Sequence, residues 1–495
     1  MPLNADAATP NLALYNLRDA AGQSQQDVAE AVNRLAGTGG KTGSVTANQV
    51  SRWERGVTRP SPFYRRLLSE HFGVSVEALG LVRPREALHD REGTATPAPS
   101  FEIQAPAATG PHPLVTNSQS EWRAIRRALN SNRVALAHSV AALYEAGTTL
   151  AGTGLLANPD LLPPDALPLE AVELEPDDRA ARPEVTGKED FADHVRPLID
   201  PGRRFHRYSH AVRGLDHPRL FENRMLWRLL DISWNAQAGY MAFGDTSYFE
   251  QVDVCEALAH EAAASLISAD GRVSPATWKG LGIRRRLGDP FDLGSRALGT
   301  STDTLTIRRD RYGATFVLHD RNAGNVAVAG GMLHVMPCGV FQPSSISQAA
   351  LAADFSLWRN IMREYSEEFL GNPEHDGDGH PIDYSAPPFD MFEQGRSAGK
   401  IRPYCLGFGL DALTLYGEIL TTVVFDADVY DTLFGNMVDA NEEGTVVKTG
   451  RVHPTSAIPF TEHTIRELIG SKRLAPAAAA CLQLAWQHRH TLLAD

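Results

Sequence analysis

Between Leu12 and Leu81 the chain is cut into short apolar-periodic runs by helix start and stop residues, and that punctuation permits few folds. Leu12, Leu14, Tyr15, Leu17 and Ala20 mark a first helix, ended at Gly22, where a C-terminal cap belongs. Ser24 supplies a capping side chain for a second helix, QQDVAEAVNRL, in which Val28, Ala29, Val32 and Leu35 recur at helical spacing. A glycine-rich turn, AGTGGKTGS, leads to a third helix that Thr46 caps and Gly56 stops. Within it Val50 and Trp53 lie one turn apart and are expected inward, leaving Ala47, Asn48, Ser51, Arg52 and Arg55 for the other side. Ser61-Pro62 opens a fourth helix and SVEALG forms a short fifth. The expectation is an all-α five-helix domain over residues 1–86.

Charge separates this segment from the rest. The chain of 495 residues carries a net charge of −13. Residues 11–86 hold ten Lys or Arg against seven Asp or Glu, a net of +3 that leaves −16 elsewhere. A small basic module on a large acidic body suits a nucleic-acid reader attached to something that is not one. The length calls for two or three domains. No run of eighteen apolar residues is present, and the first residues, MPLNADAATPNL, lack a basic start followed by an apolar stretch, so a cytoplasmic protein is expected. Cys255, Cys338, Cys405 and Cys481 are far apart and form no CxxC pair, which argues against a disulfide framework or a zinc ribbon.

The order of residues over 12–81 resembles the Cro/repressor (XRE-type) helix-turn-helix family of regulators, in a chain whose composition and stretches such as RLFENR look like those of large actinobacterial regulators. The likeness rests on Arg18, Ser24-Gln25, Val50-Ser51-Arg52-Trp53-Glu54-Arg55-Gly56, Pro60-Ser61 and Gly73-Val74-Ser75. It implies a third helix that enters the major groove of double-stranded DNA, with Gln25 on a phosphate. Thr46, Ala47, Asn48, Gln49, Ser51, Arg52 and Arg55 then form the DNA-binding set, Ala47 offering a methyl contact alone. Arg18 and Glu54 match a pair that ties the first helix to the third. The turn before the third helix is several residues longer than the family's. A homodimer is expected, because one such module touches too few base pairs to be specific.

Residues 87–117, rich in Pro, Ala and Thr, are expected to be a linker. Residues 118–300 are a helical and mixed region without a motif that converts to chemistry. A helix returns at EWRAIRRALNSNRVALAHSVAALYEAG, and the proline- and acid-rich stretch that begins at Leu155, LLANPDLLPPDALPLEAVELEPDDRAARPEV, is expected as surface loop. LWRLLDISW and GYMAFGDTSYF are expected as strands around a turn, followed by the helix VDVCEALAHEAAASLIS. His260-Glu261 on that helix lacks the second histidine of an HExxH motif and is expected to be a surface pair.

Residues 301–495 are expected as an α+β effector domain with C-terminal helices. DTLTIRRDRYGATFVLHDR alternates around Arg311-Tyr312-Gly313 as a hairpin does. GGMLHVMPCGVFQP is a strand ending in a turn, FSLWRNIMREYSEEFLG a helix, and YCLGFGLDALTLYGEILTTVVFDADV a strand pair. In the helix Glu364, Glu367 and Glu368 stand at i, i+3 and i+4 and are expected to share one face. Carboxylates that close repel unless a cation lies among them or the face is solvated.

Arg363-Glu364-Tyr365-Ser366-Glu367-Glu368 resembles the REUxEE core of the Nudix box, and Met336-Pro337-Cys338-Gly339-Val340 resembles its strand-end PGG segment. The resemblance implies a Nudix-like fold in which Glu364, Glu367 and Glu368 hold Mg2+, with Gly339 and Arg363 at the ligand. Three departures accompany it: a longer loop from Gly339 to Arg363, Ser345 at the loop glutamate's position, and the closing glycine one residue late at Gly371. A multidomain regulator whose degenerate Nudix-like domain senses a nucleotide-like or other small-molecule effector is therefore expected, with a working pyrophosphohydrolase tethered to the helix-turn-helix domain as the alternative.

Overall fold

The computed structural model describes residues 11–38, 45–55, 60–74, 79, 81, 112–218, 221–321, 332–375, 381–435, 444–447, 457–471 and 473–494. Two units divide at His112, and each is described by itself. In the first, α1 (Leu12–Ala20), α2 (Gln25–Thr38), α3 (Ala47–Glu54) and α4 (Pro62–Phe72) follow the expected order. The expected fifth helix and most of the glycine-rich turn lie outside the described residues. Gly22 and Gly73 take φ of 65° just past α1 and α4, a conformation that costs other residues strain. Ser24 caps α2, its Oγ accepting from the Asp27 amide at 3.0 Å. Leu14, Val28, Val32, Val50, Trp53, Leu67 and Leu68 interlock as the core.

The second unit begins with α5 (Pro113–Ala141), so the last residues of the expected linker are already helical. The stretch expected as loop contributes β1 (Leu155–Leu156), β2 (Leu167–Pro168) and β3 (Val172–Pro176). This corrects the sequence reading: Leu155, Leu156 and Leu167 are buried strand residues, in runs too short to show a period. Next come α6 (Tyr208–Leu215), the antiparallel pair β4 (Met225–Trp234) and β5 (Gly239–Ser247), α7 (Tyr248–Leu266) and the short α8 (Gly282–Leu287).

Helix α7 is buried on nearly every side, His260 and Glu261 included, so the expected surface pair is in fact core. Both are satisfied by partners remote in sequence. Glu261 accepts from the Ile283 and Arg284 amides and from His194 Nε2. His260 stacks on Trp122 and meets the Tyr208 hydroxyl at 3.1 Å. One turn earlier, Glu256 lies between Arg126 and Arg133 of α5, with contacts of 3.3 and 2.7 Å. Burial alone would raise the Glu256 carboxyl, but the two guanidinium groups hold it below the usual carboxylate range.

The remainder builds one mixed sheet from β6 (Thr300–Asp310), β7 (Gly313–Phe316), β8 (Leu318–Arg321), β9 (Leu333–His334) and β10 (Cys338–Val340), together with β11 (Ile401–Asp411) and β12 (Gly417–Asp426), save that β8 and β9 pair in a separate small sheet. Its central order is β1-β11-β12-β6-β7, with β12 and β6 parallel and the other neighbours antiparallel. Strand β10 pairs with the first half of β6, and β2 with β11, so regions 118–300 and 301–495 share a sheet. The expected single strand GGMLHVMPCGV is broken at Pro337, which has no amide hydrogen to continue a ladder.

Alternation along β12 explains the layering. Ile419, Val423 and Phe425 join the core that contains Ile361, Met362, Tyr365 and Phe369. Leu420 and Val424 join the opposite core, with Cys481, Leu482 and the alanines of α10 (Pro476–Gln487). The carboxylate-bearing helix, α9 (Leu357–Glu364) continued by a π-turn over Tyr365–Phe369, therefore packs on one face of the sheet. Among the described residues no helix is long and apolar enough to cross a membrane.

Candidate functional site

In the helical unit, α3 is held at both ends. Thr46 Oγ1 accepts from the Gln49 amide at 3.3 Å while Gln49 Oε1 accepts from the Thr46 amide at 2.9 Å, a reciprocal capping box. Just before it, Asn33 of α2 exchanges two hydrogen bonds with the backbone of Val45, at 2.8 and 2.9 Å. That pairing re-anchors the chain after the long turn and sets where α3 begins. At the other end, buried Glu54 takes two hydrogen bonds from Arg18, at 2.5 and 3.2 Å.

With Val50 and Trp53 locked inward, Asn48, Gln49, Arg52 and Arg55 are exposed, and Ala47 and Ser51 half-buried beside them. The sequence-derived set thus falls on one accessible side of α3, with two qualifications. Gln49 is engaged in the cap. Gln25 donates to Glu54 Oε2 at 2.7 Å, which seats it at the α2–α3 joint beside the Arg18–Glu54 pair.

In the second unit, Glu364 and Glu367 line a groove together with Arg224, Arg363, Glu374 and His375. Glu364 lies against Gly339 of β10: a Cβ placed on that glycine would stand 1.9 Å from the carboxyl group. Glu367 Oε1 accepts from the His375 amide at 2.8 Å. Glu368 departs from the expected common face. It is buried, and its Oε1 accepts from the Cys338 amide at 3.2 Å. The π-turn that begins at Tyr365 adds a residue to that turn, and so spreads carboxylates that a regular helix would align.

Arg363 is 4% exposed, and its guanidinium donates to the Gln342 carbonyl and to Asn360 Oδ1, at 2.5 and 2.7 Å. It pins the loop after β10 to the helix, and reaches the groove as its wall. Arg224 and Glu374 close the other side through an ion pair of 2.5 Å. Sequence reasoning missed Arg224, Glu374 and His375 as site residues: Arg224 ends the RLFENR stretch, which carries no chemical signature, and only folding brings the start of β4 to the loop after α9. The groove offers the carboxylate oxygens of Glu364 and Glu367, and hard oxygen donors of this kind could hold a divalent ion such as Mg2+.

Residues 14–80 match a family described as the SP15 N-terminal domain. The match covers the helical unit and none of the α+β body. A comparison of the chain with curated proteins finds no match.

Proposed function

We propose that this chain is a sequence-specific DNA-binding transcriptional regulator, acting as a homodimer, whose α+β body is Nudix-like and binds a nucleotide-like effector with Mg2+ in the carboxylate groove. The observation that carries the DNA reading is the exposed side of α3. Asn48, Arg52 and Arg55 face solvent on a helix fixed by its capping box and by the Arg18–Glu54 pair. A reading helix needs that combination: polar side chains that reach base edges, on a support that does not shift when they do. The net basic charge of this module supports the same reading.

Arg52→Ala is expected to weaken specific DNA binding by about 1–3 kcal/mol, the worth of a base-edge contact. Gln25→Ala is expected to weaken binding on every sequence alike, since a backbone contact carries no base information. Titrating both variants against the selected site and against random DNA measures the difference. Operator affinity unchanged in both would place the reading surface elsewhere.

The groove supports the effector half of the proposal. Glu364 and Glu367 would hold the metal, which would supply positive charge to offset that of a phosphorylated effector, while the Arg363 contacts keep the loop after β10 in place. Regulation requires that the effector bind the DNA-competent and DNA-incompetent states unequally. Glu367 in the groove and Gly339 against Glu364 also favour a second reading, a pyrophosphohydrolase. Release of phosphate or nucleoside monophosphate from a nucleotide panel, dependent on Mg2+ and lost in Glu367→Gln, would establish it.

A further inference from the structure

Beneath the groove, on the far side of β10, three strands bring an aspartate, a histidine and a cysteine together. Asp303 of β6 and Cys338 of β10 are direct cross-strand partners, which places Cys338 Sγ 3.0 Å from Asp303 Oδ1. His334 of β9 approaches the same oxygen with Nε2 at 3.8 Å. All three side chains are buried, and their ligand atoms lie within 4.8 Å of one another. Ligands around a tetrahedral zinc-class ion, with bonds of about 2.0–2.3 Å, stand at comparable separations.

We propose that Asp303, His334 and Cys338 form a binding site for a divalent ion of the zinc class, separate from the hard carboxylate groove and independent of the regulator reading. The donor types select the ion. A thiolate and an imidazole suit zinc, whereas Mg2+ takes oxygen ligands.

The surroundings orient each ligand. His334 Nδ1 contacts the Val335 carbonyl at 3.2 Å, so the proton sits on Nδ1 and Nε2 turns its lone pair toward Asp303. Asp303 Oδ2 accepts from the Ser301 hydroxyl at 2.9 Å, which leaves Oδ1 to the site. Ser301 also lies 2.5 Å from Glu418 Oε2. Glu368 holds the Cys338 amide and thereby fixes the strand that carries the sulfur.

Charge points the same way. The Asp303 carboxyl and the Cys338 thiol are enclosed here, with His334 Nε2 3.8 Å from Asp303 Oδ1. Buried charge is retained in proteins where it is paired or bound to metal. Metal binding would displace the Cys338 thiol proton to solvent and leave a thiolate on the ion.

The test uses full-length protein stripped with a chelator and titrated with Co2+ alone. Sulfur-to-cobalt charge-transfer absorption is expected, saturating at one cobalt per chain and abolished by Zn2+. Cys338→Ser is expected to lose the band and Glu367→Gln to keep it. Should Cys338→Ser fail to fold, X-ray absorption of the zinc-loaded wild type decides, with one sulfur among nitrogen and oxygen neighbours expected. A folded wild type without the charge-transfer band, a band that persists in Cys338→Ser, or a zinc shell without sulfur overturns the site.

Discussion

Gly339 and His260 show how single residues set what this chain can do. A side chain at Gly339 would collide with the Glu364 carboxyl, so Gly339→Ala must push Glu364 away from the strand. The expected result is a normal circular dichroism spectrum with Mg2+-dependent affinity for a nucleoside diphosphate probe reduced tenfold or more. That is about 1.4 kcal/mol. Affinity equal to wild type would remove Glu364 from the ligand site. His260 carries a pH signature. Burial, aided by Arg126 and His194, pushes its imidazole down to about 3, so the folded state excludes a proton that the unfolded chain takes up below about 6.5. Its contribution is thus neutral above that value and destabilising as pH falls from it toward 3. Lowering the pH from 6.5 to 5 is expected to cost wild type about 2 kcal/mol more than His260→Phe, read from denaturant midpoints. The exposure of Arg52 and the burial of Val50 and Trp53 were open to sequence reading because all three sit in one local helical pattern. The burial of His260 was not, because what covers it, Trp122 and Tyr208, comes from distant segments.

At the scale of elements, local signals placed most helices and the longer strands. Thr46 and Gly22 bound helices where their chemistry says they should, and β4, β5, β11 and β12 follow runs rich in apolar residues. Two-residue strands such as β1 and β2 give no period to detect, and their place is fixed by the edge of β11 that they cover. The π-turn after α9 was equally hidden, since its cause is packing of Tyr365 and Phe369 against the sheet and Phe434. The capping box of α3 yields a prediction at this scale. Thr46→Ala is expected to cost the helical unit about 1 kcal/mol and to lower specific and nonspecific DNA affinity by a common factor. Equal stability in urea titration would show that the cap is dispensable. In the pairing of α5 with α7, Glu256→Ala would leave Arg126 and Arg133 enclosed without their shared carboxylate, at an expected cost of about 3–5 kcal/mol. A denaturation midpoint unmoved by that change would contradict the network.

The whole molecule joins a basic helical unit to an acidic α+β body, and the division of labour proposed for it follows from that asymmetry. Affinity for DNA is expected to fall steeply with salt, because the small module must neutralise phosphates while the body repels them. The most direct test of the central claim is selection from a random duplex library by the purified full-length protein, with and without Mg2+ and a nucleotide panel. Enrichment of an inverted repeat, with affinity that shifts when a nucleotide and Mg2+ are added, is the predicted result. Failure to enrich any sequence under any of these conditions would contradict the account and reassign the exposed side of α3 to another partner.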